Sequence, residues 1–325
     1  MLDWLIIGGG VHGTYLSNLL ATERGLSHKQ LAVLDPYRRP LAAWLRNTRN
    51  CGMRFLRSPS THNLDVGILS LYRYAKETQR SDTDFRPPYN RPSLPLFNDH
   101  CTRLLREKGL DRLRRFGRAT ALRPKPGFIE VHTDRGSHKT KYVILALGLS
   151  EQLDWPQWAV SPKMAGAPIW HLFERGFDRL HLSSMRSITI VGGGVSAIQA
   201  ALALRRQQDS AITVIAKHPI QIEPYDFDPC WIGPKCMRDF GRIKNMTLRR
   251  QIIDSARTLG SVPEDTAAAF DRAVKRKDLR FLSGAPRRIQ FHGNALKIAM
   301  DHSTIVCDAL LLATGFSSQR PGGAF

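Results

Sequence analysis

The chain opens on an almost wholly apolar run, Leu2-Asp3-Trp4-Leu5-Ile6-Ile7, that gives way at once to Gly8-Gly9-Gly10 and then to Val11-His12-Gly13-Thr14-Tyr15-Leu16. An apolar run of that length closed by glycines predicts a buried parallel strand, and the segment after it predicts a helix. Leu31 to Leu34 is a second apolar run that stops at Asp35 and predicts the neighbouring strand. A polar, Arg-rich connection follows through Trp44 and Asn50-Cys51-Gly52 to Phe55-Leu56-Arg57-Ser58-Pro59. It is longer than an ordinary strand–helix loop, which predicts an ordered insertion over a binding region. Ser70 to Ala75 reads as a short amphipathic helix, Arg86 to Pro95 as a break, and Leu96 as the start of a basic helix.

From Ala119 the period changes. Ala119 to Leu122, Phe128 to His132 and Lys141 to Ala146 are separated by turn signals at Pro124-Lys-Pro-Gly127 and Asp134-Arg-Gly136. They predict a small meander whose last strand returns to the parallel sheet and ends at Gly148. Past Trp155-Pro156 the whole order repeats. Ser187 to Val191 is a strand, Gly192-Gly-Gly194 a turn, Val195-Ser196-Ala197 the start of a helix, and Ala211 to Ile215 the next strand. A second meander is predicted over Pro286 to Phe291, Ala295 to Met300 and Ile305 to Leu312, closing on Ala313-Thr314-Gly315.

Composition narrows the class. A length of 325 residues suits two domains with separate cores. No apolar run approaches the roughly 20 residues that span a bilayer. The first strand begins too early to leave room for a targeting peptide, and the five cysteines show no paired spacing of a disulfide framework, so a reducing cytoplasm is expected. Lys and Arg outnumber Asp and Glu by 48 to 28, a formal net charge of +20, which favours anionic ligands without naming one. The densest basic run, Arg103 to Arg118, carries Leu104, Leu105 and Leu113 at apolar positions and reads as a solvated helix face. It lacks the interleaved aromatics that stack bases, and no specific nucleic-acid partner is predicted. No His/Cys cluster has metal-ligand spacing, so no metal site is predicted.

The glycine turns carry the chemistry. In Gly8-x-Gly10-x-x-Gly13 the first glycine makes the turn, the second lets backbone approach a pyrophosphate, and the third packs helix on strand. The helix start then offers N–H groups and a partial positive charge to the phosphates, with Val11 and His12 at its edge. Asp35, in the position expected for an acid about 20 residues on, would accept from a ribose hydroxyl. In the second unit Gly192, Gly194, Val195, Ser196 and Ala197 repeat the turn, but Lys217 and His218 stand where the acid stood. Two potential cations favour a 2'-phosphate, hence NADP over NAD; the alternative is that both point to solvent.

In this order the motifs Gly8-x-Gly10-x-x-Gly13, Ala146-Leu-Gly148, Gly192-x-Gly194-x-Ser196-Ala197 and Ala313-Thr-Gly315 resemble the flavoproteins with two dinucleotide-binding domains. Phe55-Leu56-Arg57, Ser70 to Ala75 and Arg91 to Asn98 are similar to the flavin-dependent lysine and ornithine N-monooxygenases, with flavin-containing monooxygenases as relatives. The resemblance implies an α/β fold of two Rossmann-like domains, each with a parallel sheet and a β-meander. The expected division is 1–160 with 305–325 for FAD and 161–304 for NADPH. FAD would lie on Gly8, Gly10, Val11, His12, Gly13, Asp35, Ala146, Gly148 and Gly315. NADPH would lie on Gly192, Gly194, Val195, Ser196, Ala197, Lys217 and His218. It also implies a reaction: NADPH reduces the flavin, O2 adds at C4a, and the hydroperoxyflavin passes oxygen to a nitrogen or sulfur of a small substrate. Arg57 would clamp a substrate carboxylate, its alternative being a surface arginine. Asp65 and Asp228 are candidates for a substrate amine.

Two departures stand out. The fingerprint Phe-x-Gly-x-x-x-His is incomplete, since Ala167 holds the glycine position before His171. The chain also ends ten residues after Gly315, where the family continues, which predicts a shortened protein or fewer contacts to FAD. Other readings remain open: a flavin-linked reductase using Cys230 and Cys236, or a nucleotide-sensing or RNA-associated protein on the same fold. A homo-oligomer is compatible with the pattern.

Overall fold

The computed structural model describes residues 1–293 and 295–323. From the N-terminus the chain forms β1 (Leu2–Ile7), α1 (Val11–Glu23), β2 (Leu31–Asp35), α2 (Ala42–Cys51), α3 (Ser70–Glu77), β3 (Phe85–Arg86) and β4 (Arg91–Pro92). Then come α4 (Leu94–Glu107), β5 (Arg114–Phe116), β6 (Ala119–Lys125), β7 (Phe128–Thr133) and β8 (Gly136–Leu145). The second half contributes α5 (Gln157–Met164), β9 (Ile169–His171), β10 (Ser187–Val191), α6 (Val195–Gln207), β11 (Ala211–Ala216), α7 (Pro234–Arg242), α8 (Met246–Ser255) and α9 (Glu264–Lys275). It closes with β12 (Arg280–Ser283), β13 (Arg288–His292), β14 (Ala295–Ala299), β15 (Thr304–Cys307) and β16 (Ala309–Leu312).

Two compact units result. The first holds Met1–Arg49, Arg54–Asp154 and the chain from Phe316; the second holds Asn50–Met53 and Trp155–Gly315. In the first, the sheet order is β5-β2-β1-β8-β7-β6. β1 pairs in parallel with β2 and with the second half of β8, while the first half of β8 pairs antiparallel with β7. One strand therefore serves both meander and parallel sheet, as the apolar end of the last meander strand predicted. Leu5, Ile7 and Leu34 fill one face with Val131, and Ile6, Leu31 and Val33 fill the other with Leu110 and Leu113. A strand buried on both faces has no polar positions to alternate, hence the unbroken apolar run.

The basic run is not one helix. Ser93 caps α4 by accepting the Leu96 amide at 3.1 Å, and the helix stops before Gly109, whose φ is +61°. Leu110 and Leu113 then anchor a 3-10 turn in the core, so Arg114 to Phe116 becomes an edge strand parallel to β2. Arg106, Lys108 and Arg112 are exposed, as a solvated surface requires. The stretch read as a break contains the two-residue hairpin of β3 and β4, and the long insertion contains α2.

In the second unit the sheet order is β12-β11-β10-β16-β9, all parallel, with β13-β14-β15 as a separate antiparallel meander. This corrects the expected boundaries. Residues 305–315 lie in the second unit, and Trp155 onward joins it as well. The reason is Asp308, which splits the apolar run. Its carboxylate accepts the amides of Arg186 and Ser187 at 2.8 and 2.9 Å, and its own amide donates to Ser187 Oγ at 3.0 Å. The turn sends Ala309–Leu312, all buried, beside Ile188–Val191. Among the described residues no helix is long and apolar enough to cross a membrane.

Two outcomes follow for stability. Ile190, fully buried in β10, should on Ile190→Ala destabilise by about 2–5 kcal/mol, read as a lower urea midpoint at unchanged slope. His171 is fully buried, and desolvation pushes its imidazole down to about 4 from the usual 6.5. The unfolded chain then binds the proton first, so stability is complete above pH ~6.5 and declines as pH falls toward ~4, by on the order of 3 kcal/mol. Urea midpoints between pH 7 and 4 should fall more steeply for the wild type than for His171→Asn.

Candidate dinucleotide-binding sites

Where β1 ends, the Gly8 amide donates to Leu34 O at 2.8 Å and φ reaches +110°. A Cβ at Gly8 would stand 2.2 Å from Ala146 O, and one at Gly13 only 1.7 Å from Gly8 O. Both glycines are therefore compelled by backbone lying on backbone. Gly10 differs: its backbone is extended (φ −75°), and a Cβ there would meet nothing within 4 Å. The second glycine faces open space, into which the start of α1 points with no side-chain cap. The crevice has a volume of about 550 Å³ and is lined by Gly8, Gly9, Gly10, Val11, His12 and Asp35, with Ala146 and Gly148 from the end of β8. A cradle that a Cβ would begin to fill, at an uncapped helix start, fits a pyrophosphate.

Asp35 has a further task. Its Oδ2 accepts the Gly9 amide at 2.5 Å, its Oδ1 accepts the Tyr37 amide at 2.8 Å, and the Arg114 guanidinium lies 3.7 Å away. The carboxylate straps the glycine turn to β2, and its remaining lone pairs are what a ribose hydroxyl would find. Trp44 and Asn47 of α2, and Arg118, Glu151 and Gln152, also line the crevice. Arg118 donates to both Glu151 oxygens, at 2.5 and 2.9 Å. None of these five was singled out from the sequence, because they come from connections with no local signature; the Trp in the over-long insertion was the one usable signal.

The second turn repeats the geometry. A Cβ at Gly192 would lie 2.4 Å from Ala313 O, as Gly8 does against Ala146. Gly194 is again extended at the start of an uncapped helix, with Ser196 and Ala197 in its first turn. A Cβ at Gly194 would lie 3.4 Å from Gly260 Cα, so this turn has a neighbour where the first has none. Lys217 and His218, just past β11, are exposed. Gly315 follows β16 in the second unit, in the place Gly148 holds after β8 in the first.

The substrate-side candidates fall in both units, Arg57 and Asp65 in the first and Asp228 in the second. Asp65 accepts from Asn18, the Val66 amide and Ser70, at 3.3, 2.9 and 2.7 Å, and these bonds hold its carboxyl below the usual range. Its lone pairs serve the fold, and it does not line the crevice. Arg57 follows the buried Leu56 and is half-buried. Asp228, in the second unit, caps a 3-10 turn by accepting the Cys230 amide at 2.8 Å.

One expectation about cysteine is overturned. Cys230 and Cys236 are joined as a disulfide, while Cys51, Cys101 and Cys307 are buried thiols. The turn capped by Asp228 and the helix begun at Pro234 bring the two sulfurs together across six positions. Among the described residues no group of three or more His, Cys, Asp or Glu could hold a metal ion.

No family profile matches the chain. The rhizobactin siderophore biosynthesis protein RhbE of Rhizobium meliloti (strain 1021) is 26% identical over 203 residues, which span 54% of this chain and 44% of that protein. The matched region is thus less than half the length of that relative. Among solved structures, the ornithine hydroxylase PvdA from Pseudomonas aeruginosa superposes with a TM-score of 0.75 at 18% identity, over 98% of this chain and 84% of that one. The ornithine N-hydroxylase KtzI of Kutzneria sp. 744, with reduced FAD, NADP+ and L-ornithine, gives 0.72 at 15% identity, over 99% and 82%. The fold is that of the two-dinucleotide-domain flavoproteins.

The glycines separate folding from binding. Gly10→Ala should fold with an unchanged urea transition yet lose at least ~10-fold in affinity for FAD, read by quenching of flavin fluorescence. Gly13→Ala should fail to give soluble, cooperatively folded protein.

Proposed function

We propose that this chain is an FAD-dependent, NADPH-using monooxygenase that hydroxylates an amine nitrogen of a small, amino-acid-like substrate. The observation that carries the reading is the doubled cradle with opposite ends: Asp35 beside one glycine turn, Lys217 and His218 beside the other. The first turn, from Gly8 to Gly13, would hold the FAD pyrophosphate, with Asp35 accepting from the ribose. The second, from Gly192 to Ala197, would hold NADPH, with Lys217 and His218 on the 2'-phosphate. FAD held there would, once reduced by NADPH, supply the redox chemistry that activates O2, one oxygen of which would pass to the substrate nitrogen while the other leaves as water. The chain's own residues bind, orient and exclude water. The overlap in fold with two ornithine hydroxylases supports an amine nitrogen as acceptor over sulfur. Arg57 is the proposed carboxylate clamp. Asp228 remains a candidate for the substrate ammonium, and Asp65 acts on the fold instead.

The test is purification with FAD, anaerobic reduction by NADPH, and then O2 with ornithine or lysine. The expected result is an N-hydroxylated product 16 mass units heavier, formed in proportion to NADPH oxidised. Colourless protein that takes up no FAD would end the reading. NADPH oxidation without product would favour a flavin-linked reductase. Lys217→Glu should lower kcat/KM for NADPH about 10-fold or more and leave that for NADH within ~2-fold, measured as initial rates with each nucleotide.

A further inference from the structure

We infer that Cys230 and Cys236 are a reversible disulfide, a surface thiol–disulfide exchange site of the second unit that glutathione-class thiols address. The inference does not depend on the proposed reaction, since it rests on the cysteines and their surroundings alone.

The five cysteines fall into two sets. Burial pushes the Cys51 and Cys101 thiols up to about 12 and raises Cys307 as well, so these three carry no thiolate at neutral pH and are inert. Cys230 and Cys236 are half-exposed, between exposed Asp228, Pro234, Lys235, Met237 and Arg238. An incoming thiolate can reach only this pair.

The two sulfurs are not equivalent. Cys236 is the third residue of the nine-residue α7, whose N-cap Gly233 supplies no side-chain acceptor, and Lys235 and Arg238 flank it. Uncapped N–H groups at a helix start favour a thiolate there. Asp239 is the nearby acid, and it is paired with Arg238 and Arg242 at 3.7 and 3.2 Å. Cys230 has its amide on the Asp228 carboxylate, whose negative charge disfavours a second one beside it. Cys236 is the better leaving group, so a thiolate RS⁻ attacks Cys230 Sγ, the disulfide breaks, and Cys236 departs as thiolate. A second RS⁻ attacks the mixed disulfide at its R sulfur, releasing Cys230 and RSSR. Two electrons pass to the pair, and the two protons of the consumed thiols end on Cys230 and Cys236.

The bond matters to the segment that carries it. Gln221 to Val262 is an excursion closed at its base by Val262 N to Gln221 O at 2.8 Å and Glu223 N to Val262 O at 3.1 Å. α8 buries no residue, and α7 buries Phe240 alone, edge-on to Trp231 at 5.6 Å. With so little packing, the cross-link supplies much of the order of α7, and reduction loosens it.

The test uses the full chain, equilibrated in buffers stepped from glutathione disulfide to glutathione, alkylated while folded and mapped by mass spectrometry. Cys230 and Cys236 should pass together from bridged to fully alkylated, with Cys51, Cys101 and Cys307 untouched. In the reduced protein Cys236 should alkylate at least ~5-fold faster than Cys230 at pH 7. Trypsin should cut after Lys235 and Arg238 at least ~3-fold faster once the pair is reduced, and a Cys230→Ser/Cys236→Ser variant should show the reduced rate in either buffer. A pair that stays bridged, or stays alkylatable, across all buffers would overturn the inference, as would equal tryptic rates in both states.

Discussion

Everything in the first unit depends on one close approach, the packing of the Gly13 backbone against Gly8 O. With a Cβ excluded there at 1.7 Å, α1 can begin directly off β1, and its first N–H groups face the crevice instead of the core. Ala146 completes the contact from the other side, because β8 runs parallel to β1 and ends at the same level. In the second unit Gly192 meets Ala313 as Gly8 meets Ala146, while Ala197 stands at the position of Gly13. Backbone-to-backbone contact tolerates no side chain, and it puts a helix start where a strand ends.

Around this shared frame the two units diverge in ways that bear on what each can hold. Gly10 looks into open space, while Gly194 has Gly260 beside it, just before the helical excursion closes at Val262. Asp35 is tied to Gly9 and Tyr37 and so shapes the turn as well as offering acceptors. Lys217 and His218 stand exposed. Ion pairs such as Arg103 with Glu77 and Glu107 or Arg118 with Glu151 leave the net charge of +20 itself untouched, because that figure already subtracts every Asp and Glu.

The glycine turns, the neighbouring strands and both meanders were legible because each is written in local order: an apolar run, a turn signal, a change of period. Asp35, which lines the first crevice, was legible for the same reason, standing at the end of such a run. What failed was of another kind. Nothing in the spelling of Ile305 to Leu312 says that Asp308 turns it between two sheets, since that turn needs the amides of Arg186 and Ser187, more than 120 positions away. The continuation of the basic helix past Glu107 failed because Leu110 and Leu113 prefer the core over helical register.

By itself the amino-acid order determined that two strand–turn–helix units exist, because an apolar run, a glycine turn and a helix start are written within some ten residues of one another. The tertiary structure alone decided which unit owns the final strand, that Asp65 spends its lone pairs on Asn18 and Ser70, and that Trp44, Asn47 and Arg118 share a crevice with the first turn. It alone also decided that two of the five cysteines meet. Those facts are set by which groups satisfy one another once water is excluded, and distant parts of a chain carry no mark of their future neighbours.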